Sequence, residues 1–249
     1  MLYLCLPAYN EGPTVGLVLW NIHKVFSSYS REYEILVVND GSDDSTAETL
    51  ESYAQLLPLT IITHERRLGY GAALDSLSRA AAERTKYPRR DAAIFMQADF
   101  SDPPEALPEI IKRFEGGADL VVAEADREPQ ALPSAIRWIR RFAPRMLRPM
   151  LKLDQVQDPL GSFRLARISV IRDALRECGS APLVSGAGWA ANLELTARLA
   201  RFSRRIETVP VSPRFELRPR ATRVRPFADA LDLYKSGRAL QLRRETTTT

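Results

Sequence analysis

The sequence contains few of the residues that build disulfides or histidine-based sites. It has two cysteines and two histidines in 249 residues. Two cysteines cannot form a disulfide framework, and Cys5 lies in an apolar run, so we expect a reducing, cytoplasmic setting. His23 and His64 are isolated in the sequence, and we assign neither of them a role.

Long apolar stretches are also missing. No segment reaches the roughly 20 apolar residues that a membrane-crossing helix needs. Residues 1–6 form an apolar run with no charged segment before it and no cleavage site after it, so we expect no signal peptide. With 45% hydrophobic and 27% charged residues, the composition is typical of a soluble globular protein. A chain of 249 residues can bury a large core as one domain, or as one domain with a substantial appendage. We therefore expect a chain that does not span a membrane.

Acidic residues are scarce in two segments. Residues 127–152 carry seven Lys/Arg against one acid, and residues 201–249 carry twelve against five. Because the net charge is only +4, the rest of the chain is net negative. Such basic segments predict an anionic partner, which could be a lipid surface, a phosphate substrate or a nucleic acid. Nucleic acid is the weakest of these interpretations, because no basic motif interleaved with aromatic residues is present. We therefore expect no nucleic-acid partner.

Strand and helix patterns alternate through the first half of the chain. Apolar runs predict five strands: Leu2–Leu6, Glu34–Val38, Leu59–Thr63, Ala92–Met96 and Asp119–Ala123. The segments between them predict four helices: Val15–Phe26, Thr46–Leu56, Gly71–Glu83 and Ala106–Phe114. This order predicts an α/β fold with a doubly wound, mainly parallel sheet whose strand-to-helix loops share one edge.

The most informative motif follows the fourth strand. The strand ends in Gln97-Ala98-Asp99, and Asp102-Pro103-Pro104-Glu105 then has the pattern of a helix start. A carboxylate at the carboxyl end of a buried strand lies where open α/β sheets bind ligands, so Asp99 could hold a divalent cation against phosphate oxygens. A tight turn in which Asp99 only accepts from backbone donors is the alternative.

The first loop, residues 7–13, would lie at the same edge. Tyr9 offers a flat ring, and Asn10 and Glu11 offer polar contacts, which suits a base or a ribose. A simple turn with Asn10 or Thr14 as the helix cap is the alternative.

The second and third loops contain further candidates. Asp40 comes one step after its strand and is not needed for capping, so we favour ligand binding for it and leave Asp43 open. The residues Ser45–Glu48 form a capping box, with Ser45 as the cap. Gly69 and Gly71 would let an anionic ligand approach a helix start, although a turn requires the same residues.

Together these loops resemble glycosyltransferase family 2, and most of all its dolichol- or polyprenyl-phosphate sugar transferase branch. The matching segments are Pro7–Glu11, Asn39–Thr46, Leu68–Ala73, Ala98–Phe100, Asp102–Glu105, Asp158–Arg164, Gly188–Leu195 and Val209–Val211. The resemblance covers residues 1 to about 225. It implies the Rossmann-like GT-A fold in a single domain, residues 1–245, followed by a disordered tail at 246–249. Residues 1–125 would bind the nucleotide-sugar, and residues 126–245 would form the acceptor and membrane-interface half.

The resemblance also implies an activity. It is the inverting, Mg²⁺- or Mn²⁺-dependent transfer of a sugar from a donor such as GDP-mannose or a UDP-sugar to a polyprenyl- or dolichyl-phosphate-type lipid. The protein would act peripherally at the anionic cytoplasmic face of a membrane. Two rival interpretations stay open, namely the same chemistry with a soluble or glycan acceptor and a catalytically lapsed nucleotide-sugar-binding protein.

Residue roles follow from the same resemblance. The nucleotide-sugar would contact Pro7, Ala8, Tyr9, Glu11, Asp40, Ser42, Asp43, Gly71, Gln97 and Ala98. The cation would be held by Asp99, Gln97 and Ser101. Gln97 stands where the family usually has the first Asp of Asp-x-Asp, so the site keeps one carboxylate. We therefore expect the cation to bind mainly together with the donor's diphosphate.

The catalytic candidates are Asp99, Asp158 and Arg164. Asp158 could act as a base or orient the acceptor, although a phosphate acceptor is already ionised at neutral pH and a turn would also explain the residue. Arg164 is a catalytic candidate if it reaches phosphate, and otherwise an ion-pair partner within the fold. Gly161 and Ser162 are exchanged relative to the family pattern.

The segment 135–153 indicates how an acceptor could be reached. An apolar series and an arginine series repeat there at helical spacing, and two prolines divide the segment. This pattern is typical of a helix in a membrane interface, and an amphipathic helix on the sheet is the alternative. For the acceptor phosphate we select Arg137, Arg141, Ser162, Arg218 and Arg223.

Overall fold

The computed structural model describes residues 1–125, 155–212 and 233–234. The predicted interfacial segment at 135–153 and the tail at 246–249 lie outside these residues. The same holds for four of the acceptor-phosphate candidates: Arg137, Arg141, Arg218 and Arg223.

The described residues form one seven-stranded sheet with helices on both faces. The strands are β1 (Leu2–Ala8), β2 (Tyr33–Asn39), β3 (Leu59–Thr63), β4 (Ala92–Phe95), β5 (Leu120–Ala125), β6 (Arg164–Arg167) and β7 (Ile206–Val211). The helices are α1 (Gly12–Ser28), α2 (Thr46–Ala54), α3 (Tyr70–Arg84), α4 (Leu107–Glu115), α5 (Ile168–Cys178) and α6 (Gly188–Phe202), with a 3₁₀ turn at Pro104–Ala106.

Strand β1 shows why both faces of the sheet are covered. All seven of its residues are buried. Leu2, Leu4 and Leu6 pack with apolar residues of α1 and α4, whereas Tyr3 and Cys5 pack on the opposite face with residues of α3 and α6. Successive side chains of a strand point to opposite faces, so a continuous apolar run has to be covered twice.

The strand order is β3-β2-β1-β4-β6-β5-β7. Strands β1, β2, β3 and β4 are parallel to one another, as predicted, and β7 is parallel to β5. The fifth predicted strand, β5, runs in the same direction as β1–β4, but it is not their neighbour, because β6 lies between β4 and β5 and is antiparallel to both. The class is nevertheless confirmed as a doubly wound, mainly parallel α/β sheet.

The position of β6 brings the second half of the chain to the edge of the sheet at which β1 to β4 end, which we call the functional edge. The carboxyl ends of β1 to β4 lie along one edge of the sheet, since these strands are parallel. Because β6 runs the opposite way, its first residue, Arg164, pairs with Phe95 at the end of β4. None of the described helices is long and apolar enough to cross a membrane.

Candidate functional site

The loops after β1 and β2 are joined by a reciprocal pair of hydrogen bonds. Asn10 Nδ2 donates to Asp43 Oδ1 at 2.6 Å, and the Asp43 amide donates back to Asn10 Oδ1 at 3.1 Å. The Asn10 amide also donates to Ser42 Oγ at 3.0 Å. Ser42 and Asp43, two of the predicted ligand contacts, therefore hold these two loops together.

Helix α2 is capped differently from the prediction. The side chain of Ser45 makes no capping hydrogen bond. Instead, Asp44 accepts from the Thr46 amide at 2.9 Å and from the Gly12 amide at 3.1 Å, which serves two helix starts at once. Burial acts to raise the pKa of Asp44, but these hydrogen bonds outweigh it and the pKa is lowered. The capping-box prediction was wrong because Asp44, and not Ser45, accepts the hydrogen bond at the start of α2, where it also binds the Gly12 amide of another loop.

Asp40 is buried and holds the loop after β3. Its carboxylate accepts from the amides of Leu68 and Gly69, both at 2.8 Å. His64 Nδ1 lies 2.8 Å from the same carboxylate, and His64 Nε2 lies 3.0 Å from Ser76 Oγ on α3. His64, to which we assigned no role from the sequence, directly follows β3 at the same edge. A ligand contact through Asp40 stays a prediction, and its observed contacts are with the protein.

Tyr9 and Glu11 complete this region, which we call the three-loop cluster (residues 9–14, 40–46 and 64–69), and Gly71 follows it in the first turn of α3. The Arg67 guanidinium lies 4.1 Å from the centroid of the Tyr9 ring. The Glu11 amide donates to Thr46 Oγ1 at 2.8 Å, and Glu11 Oε2 accepts from Thr14 at 3.1 Å. A Cβ on Gly71 would overlap the carbonyl oxygen of Gly186, so close packing explains this glycine without a ligand.

The predicted ligand residues at the end of β1 are buried strand residues. Pro7 pairs with Val38 and Ala8 pairs with Asn39. The strand is therefore two residues longer than predicted, and any contact of Pro7 or Ala8 with a ligand stays a prediction.

Asp99 lies in a tight turn with a strained backbone. It is 2% exposed, and its Oδ1 accepts from the Ser101 amide at 3.1 Å and from Ser101 Oγ at 2.6 Å. The intervening Phe100 has φ 66°, and Asn10 has φ 54°; these are the only non-glycine residues with positive φ in the described part of the chain. Such strain concentrates at ligand sites in proteins, and both residues lie at the functional edge. The turn offered as the alternative is present, and it fixes the Asp99 carboxylate at this edge.

A second group of polar side chains connects β4 to the later part of the chain. Asp102 Oδ2 accepts from the Gln97 amide at 2.8 Å and from Ser162 Oγ at 2.7 Å. Asp102 was expected to cap a helix, but no side chain caps the 3₁₀ turn that follows it. It instead joins the loop after β4 to the loop before β6. Ser162, an acceptor candidate, therefore lies beside the Gln97 backbone, and Ala98 is buried between Gln97 and Asp99.

This second group continues through Tyr70 and Asn192 to Arg164. Gln97 Nε2 donates to Tyr70 Oη at 2.9 Å, and Tyr70 Oη donates to Asn192 Oδ1 at 2.8 Å. We call Tyr70, Gln97, Asp102, Ser162, Arg164 and Asn192 the polar junction. It links α3 and β4 to β6 and α6.

Arg164 is fully buried at the base of the polar junction. Its guanidinium donates to five oxygens: the carbonyl oxygens of Gly161, Ser162 and Asn192, Thr196 Oγ1 and Asn192 Oδ1. All five of these acceptors are neutral, and an ion-pair role for Arg164 stays a prediction. Burial lowers the pKa of Arg164, against the opposing charges of Asp102 and Asp158. A catalytic role for Arg164 stays a prediction, and these contacts support a structural one.

Asp158 lies in the turn before β6. Its Oδ1 accepts from the Leu160 amide at 3.1 Å, and its own amide donates to Glu124 Oε1 at 3.2 Å. This is the turn role that the sequence analysis offered as an alternative. Its role as a base or acceptor contact stays a prediction.

The oxygens near Asp99 fit a hard divalent cation only in part. No group of three or more His, Cys, Asp or Glu suited to a metal occurs among the described residues. Asp99 supplies one carboxylate, and Ser101 and Gln97 supply neutral oxygens. Mg²⁺ and Mn²⁺ accept such ligands but need about six, so a diphosphate would have to complete the coordination.

Comparison with known proteins identifies the family. The family model described as "Glycosyl transferase family 2" matches residues 3–175. The putative glycosyltransferase CsbB of Bacillus subtilis is 27% identical over 177 residues, which are 71% of this chain and 51% of that protein. The prophage bactoprenol glucosyl transferase homolog of Escherichia coli is 26% identical over 175 residues, 68% of this chain and 53% of that protein. The chain thus spans about half the length of these curated relatives.

Solved structures show the same fold. Glucosyl-3-phosphoglycerate synthase of Mycobacterium tuberculosis, in complex with Mn²⁺, UDP and glucosyl-3-phosphoglycerate, gives a TM-score of 0.66 at 21% identity. The match covers 98% of this chain and 79% of that one. The GT-A fold predicted from the loop motifs is therefore confirmed. With a family model matching more than half of its residues, the chain belongs to glycosyltransferase family 2.

Proposed function

We propose that this protein transfers a sugar, with inversion, from a nucleotide-diphosphate sugar to a polyprenyl-phosphate-type lipid at a membrane surface. One observation carries the proposal. The Asp102 carboxylate joins the backbone amide of Gln97, two residues before Asp99 in the sequence, to the side chain of Ser162, which lies in the matching segment Asp158–Arg164. A sugar donor bound at the carboxyl edge of the sheet and a sugar acceptor bound near residues 158–162 would therefore lie on either side of the hydrogen bonds made by Asp102.

The chain's own residues would act mainly by positioning and by charge. The three-loop cluster would hold the nucleoside, with Tyr9 and Arg67 as a flat, cationic wall. Asp99 and Ser101 would hold a divalent cation, which supplies positive charge to the leaving diphosphate. The acceptor phosphate is ionised at neutral pH, so Asp158 would orient it rather than remove a proton.

The acceptor assignment is supported by relatives and by charge. Relatives at 26% identity are named bactoprenol glucosyl transferases, in Escherichia coli and in a Shigella phage. The excess of Lys/Arg in residues 127–152 and 201–249 suits a lipid phosphate in an anionic membrane. These segments would give peripheral attachment to the membrane.

A second candidate acceptor is a soluble phosphorylated acid. The Mycobacterium tuberculosis structures are of an enzyme named for glucosyl-3-phosphoglycerate, and one complex contains Mn²⁺, UDP-glucose and phosphoglyceric acid. That match covers 97% of this chain, whereas the bactoprenol relatives cover 68%. Both candidates place a phosphate on the acceptor.

The test compares the two acceptors directly. The protein is incubated with UDP- and GDP-sugars, Mg²⁺ or Mn²⁺, and either polyprenyl phosphate in anionic vesicles or 3-phosphoglycerate. Mass spectrometry then identifies the glycosylated product. A glycosyl polyprenyl phosphate is expected, and product with 3-phosphoglycerate alone would establish the second candidate. If the protein binds nucleotide but forms no product with any donor, the result would establish the third interpretation, a catalytically lapsed nucleotide-sugar-binding protein.

A further inference from the structure

The directions of the hydrogen bonds in the polar junction can be assigned from Arg164 outward. A guanidinium only donates, and Arg164 Nη2 lies 3.0 Å from Asn192 Oδ1. Asn192 Nδ2 lies 3.0 Å from the carbonyl oxygen of Leu160, which only accepts. The opposite amide orientation would set two donors together at Arg164 and two acceptors together at Leu160. Asn192 must therefore present its oxygen to Arg164.

This orientation determines what Tyr70 can do. Its hydroxyl lies 2.8 Å from the same Asn192 oxygen, so its single hydrogen is used in that bond. Towards Gln97 the hydroxyl can then only accept. Gln97 meets that requirement by presenting Nε2, at 2.9 Å.

We propose that Tyr70 and Asn192 are positioning residues that hold the nitrogen of the Gln97 amide and so leave its oxygen for the divalent cation bound with the donor diphosphate. This inference rests on the proposed function. A hard cation binds an amide oxygen and not an amide nitrogen, so an amide free to turn over would often present the wrong atom. The backbone of Gln97 is also fixed, by the bond from its amide to Asp102.

A carboxylate at position 97 would fit this junction poorly, because Tyr70 has no second hydrogen to donate. Glutamate would face Tyr70 with a second acceptor, while the only hydroxyl hydrogen is already used at Asn192. Either the bond to residue 97 or the bond to Asn192 would be lost. The neutral amide is the side chain that keeps both bonds, and Arg164 selects it through two intermediate residues.

The orientation itself can be tested without any ligand. Hydrogen exchange of the Gln97 side-chain amide is followed by NMR in the wild type, in Tyr70→Phe and in Tyr33→Phe. Tyr33 is a matched control, because its hydroxyl lies 2.9 Å from His23 Nδ1, far along the chain from the junction. Protection is expected in the wild type and in Tyr33→Phe, and loss of protection in Tyr70→Phe. An unprotected Gln97 amide in the wild type would overturn the proposal.

The role in cation binding needs a second readout. Mn²⁺ is titrated into the protein with UDP present, and Tyr70→Phe is expected to weaken Mn²⁺ binding about 10-fold, the usual effect of losing a residue that orients a metal ligand. Tyr33→Phe should leave it unchanged. In a Gln97→Met background, Tyr70→Phe should cause no further loss, because the amide through which it acts is gone.

The outcomes separate this proposal from the proposed function. Two results would overturn the positioning proposal alone. One is Mn²⁺-dependent UDP binding that Tyr70→Phe does not weaken, and the other is a loss of Mn²⁺ affinity on Tyr70→Phe that is equally large in the wild-type and Gln97→Met backgrounds. UDP binding without any Mn²⁺ dependence in the wild type would contradict the proposed metal-dependent transfer, and with it the role of Gln97 toward a cation.

Discussion

The three-loop cluster and the polar junction use polar side chains in different ways. In the cluster, carboxylates such as Asp40 and Asp44 accept mainly from backbone amides of neighbouring loops. In the junction, side chains bond to one another across α3, β4, β6 and α6, starting from a buried arginine. The hydrogen bonds of the cluster thus fix the conformations of loops, whereas those of the junction connect the two halves of the sheet.

The two regions should therefore respond differently to the loss of one side chain. Loss of one carboxylate in the cluster should loosen only the loops at this edge of the sheet, because its partners belong to those loops. Loss of a junction residue should affect the whole domain, because its partners come from distant segments. The predictions below follow this difference, from the largest expected effect to the smallest.

The largest effect is expected for Arg164→Met. The variant removes five donors and leaves buried carbonyl oxygens without partners, so we expect a loss of about 4 kcal/mol in the free energy of unfolding. Urea denaturation measures it. Arg113→Met is the control, because Arg113 is half-exposed and pairs with Glu109 on the surface, where about 0.5 kcal/mol is expected. Equal losses in both variants would remove the distinction between a buried connection and a surface pair.

Gly41→Ala should have the next largest effect. Gly41 has φ 65°, and a Cβ there would lie 2.5 Å from the backbone of Arg66 and Arg67. Strain and overlap together should cost about 3 kcal/mol in unfolding free energy. Gly188→Ala is the matched control, since Gly188 has φ 50° but nothing within 4 Å of its Cβ position. A smaller loss at Gly41 than at Gly188 would show that the loops after β2 and β3 are not in close contact.

Asp40→Asn tests the cluster at a single side chain. The amide nitrogen would face either Gly69 or the pair of Leu68 and His64, so at least one buried donor loses its acceptor. We expect a loss of about 2 kcal/mol in unfolding free energy, with faster amide exchange at Leu68 and Gly69. Amide exchange that speeds up throughout the sheet instead would mean that the cluster is as widely connected as the junction.

The smallest effect concerns pH. Because the pKa of Asp44 is lowered in the folded state, its contribution to stability is fully present above the unfolded value, about 3.9, and is lost as the pH falls through the lower folded value. Asp44→Asn should therefore be less stable than the wild type at pH 7, and the difference should narrow below about pH 4. Ser45→Ala should change neither the stability at pH 7 nor its dependence on pH, since the Ser45 side chain makes no capping bond. Parallel pH curves for wild type and Asp44→Asn would contradict the capping role of Asp44.

The sheet could be predicted largely because its signals are local. Runs such as Leu2–Leu6 and Leu59–Thr63 are apolar over consecutive residues, and the helices between them are amphipathic or rich in alanine. The position of β6 could not be predicted in this way. Its four residues pair with β4 and β5, which lie far away in the sequence, and nothing in Arg164–Arg167 specifies an antiparallel partner.

The candidate site was predicted in position but not in contacts. The motifs indicated the correct edge, since residues after parallel strands meet there. The sequence did not show that Asp44, rather than Ser45, caps α2, because the deciding donor is the Gly12 amide of another loop. The five acceptors of Arg164 lie within residues 161–196 and are brought together only by the fold. His64 could have been found, because it occupies the same position after β3 that Asp40 occupies after β2.

The most direct test is isothermal titration of UDP and GDP into wild type and Asp99→Asn, each with and without Mn²⁺. The asparagine keeps the shape of the side chain and an oxygen for Ser101, but it removes the one carboxylate offered to a cation. We predict that Mn²⁺ strengthens nucleotide binding to the wild type and leaves binding to Asp99→Asn unchanged. An equal gain from Mn²⁺ in both proteins, or no nucleotide binding to either, would contradict a nucleotide-sugar site organised around Asp99.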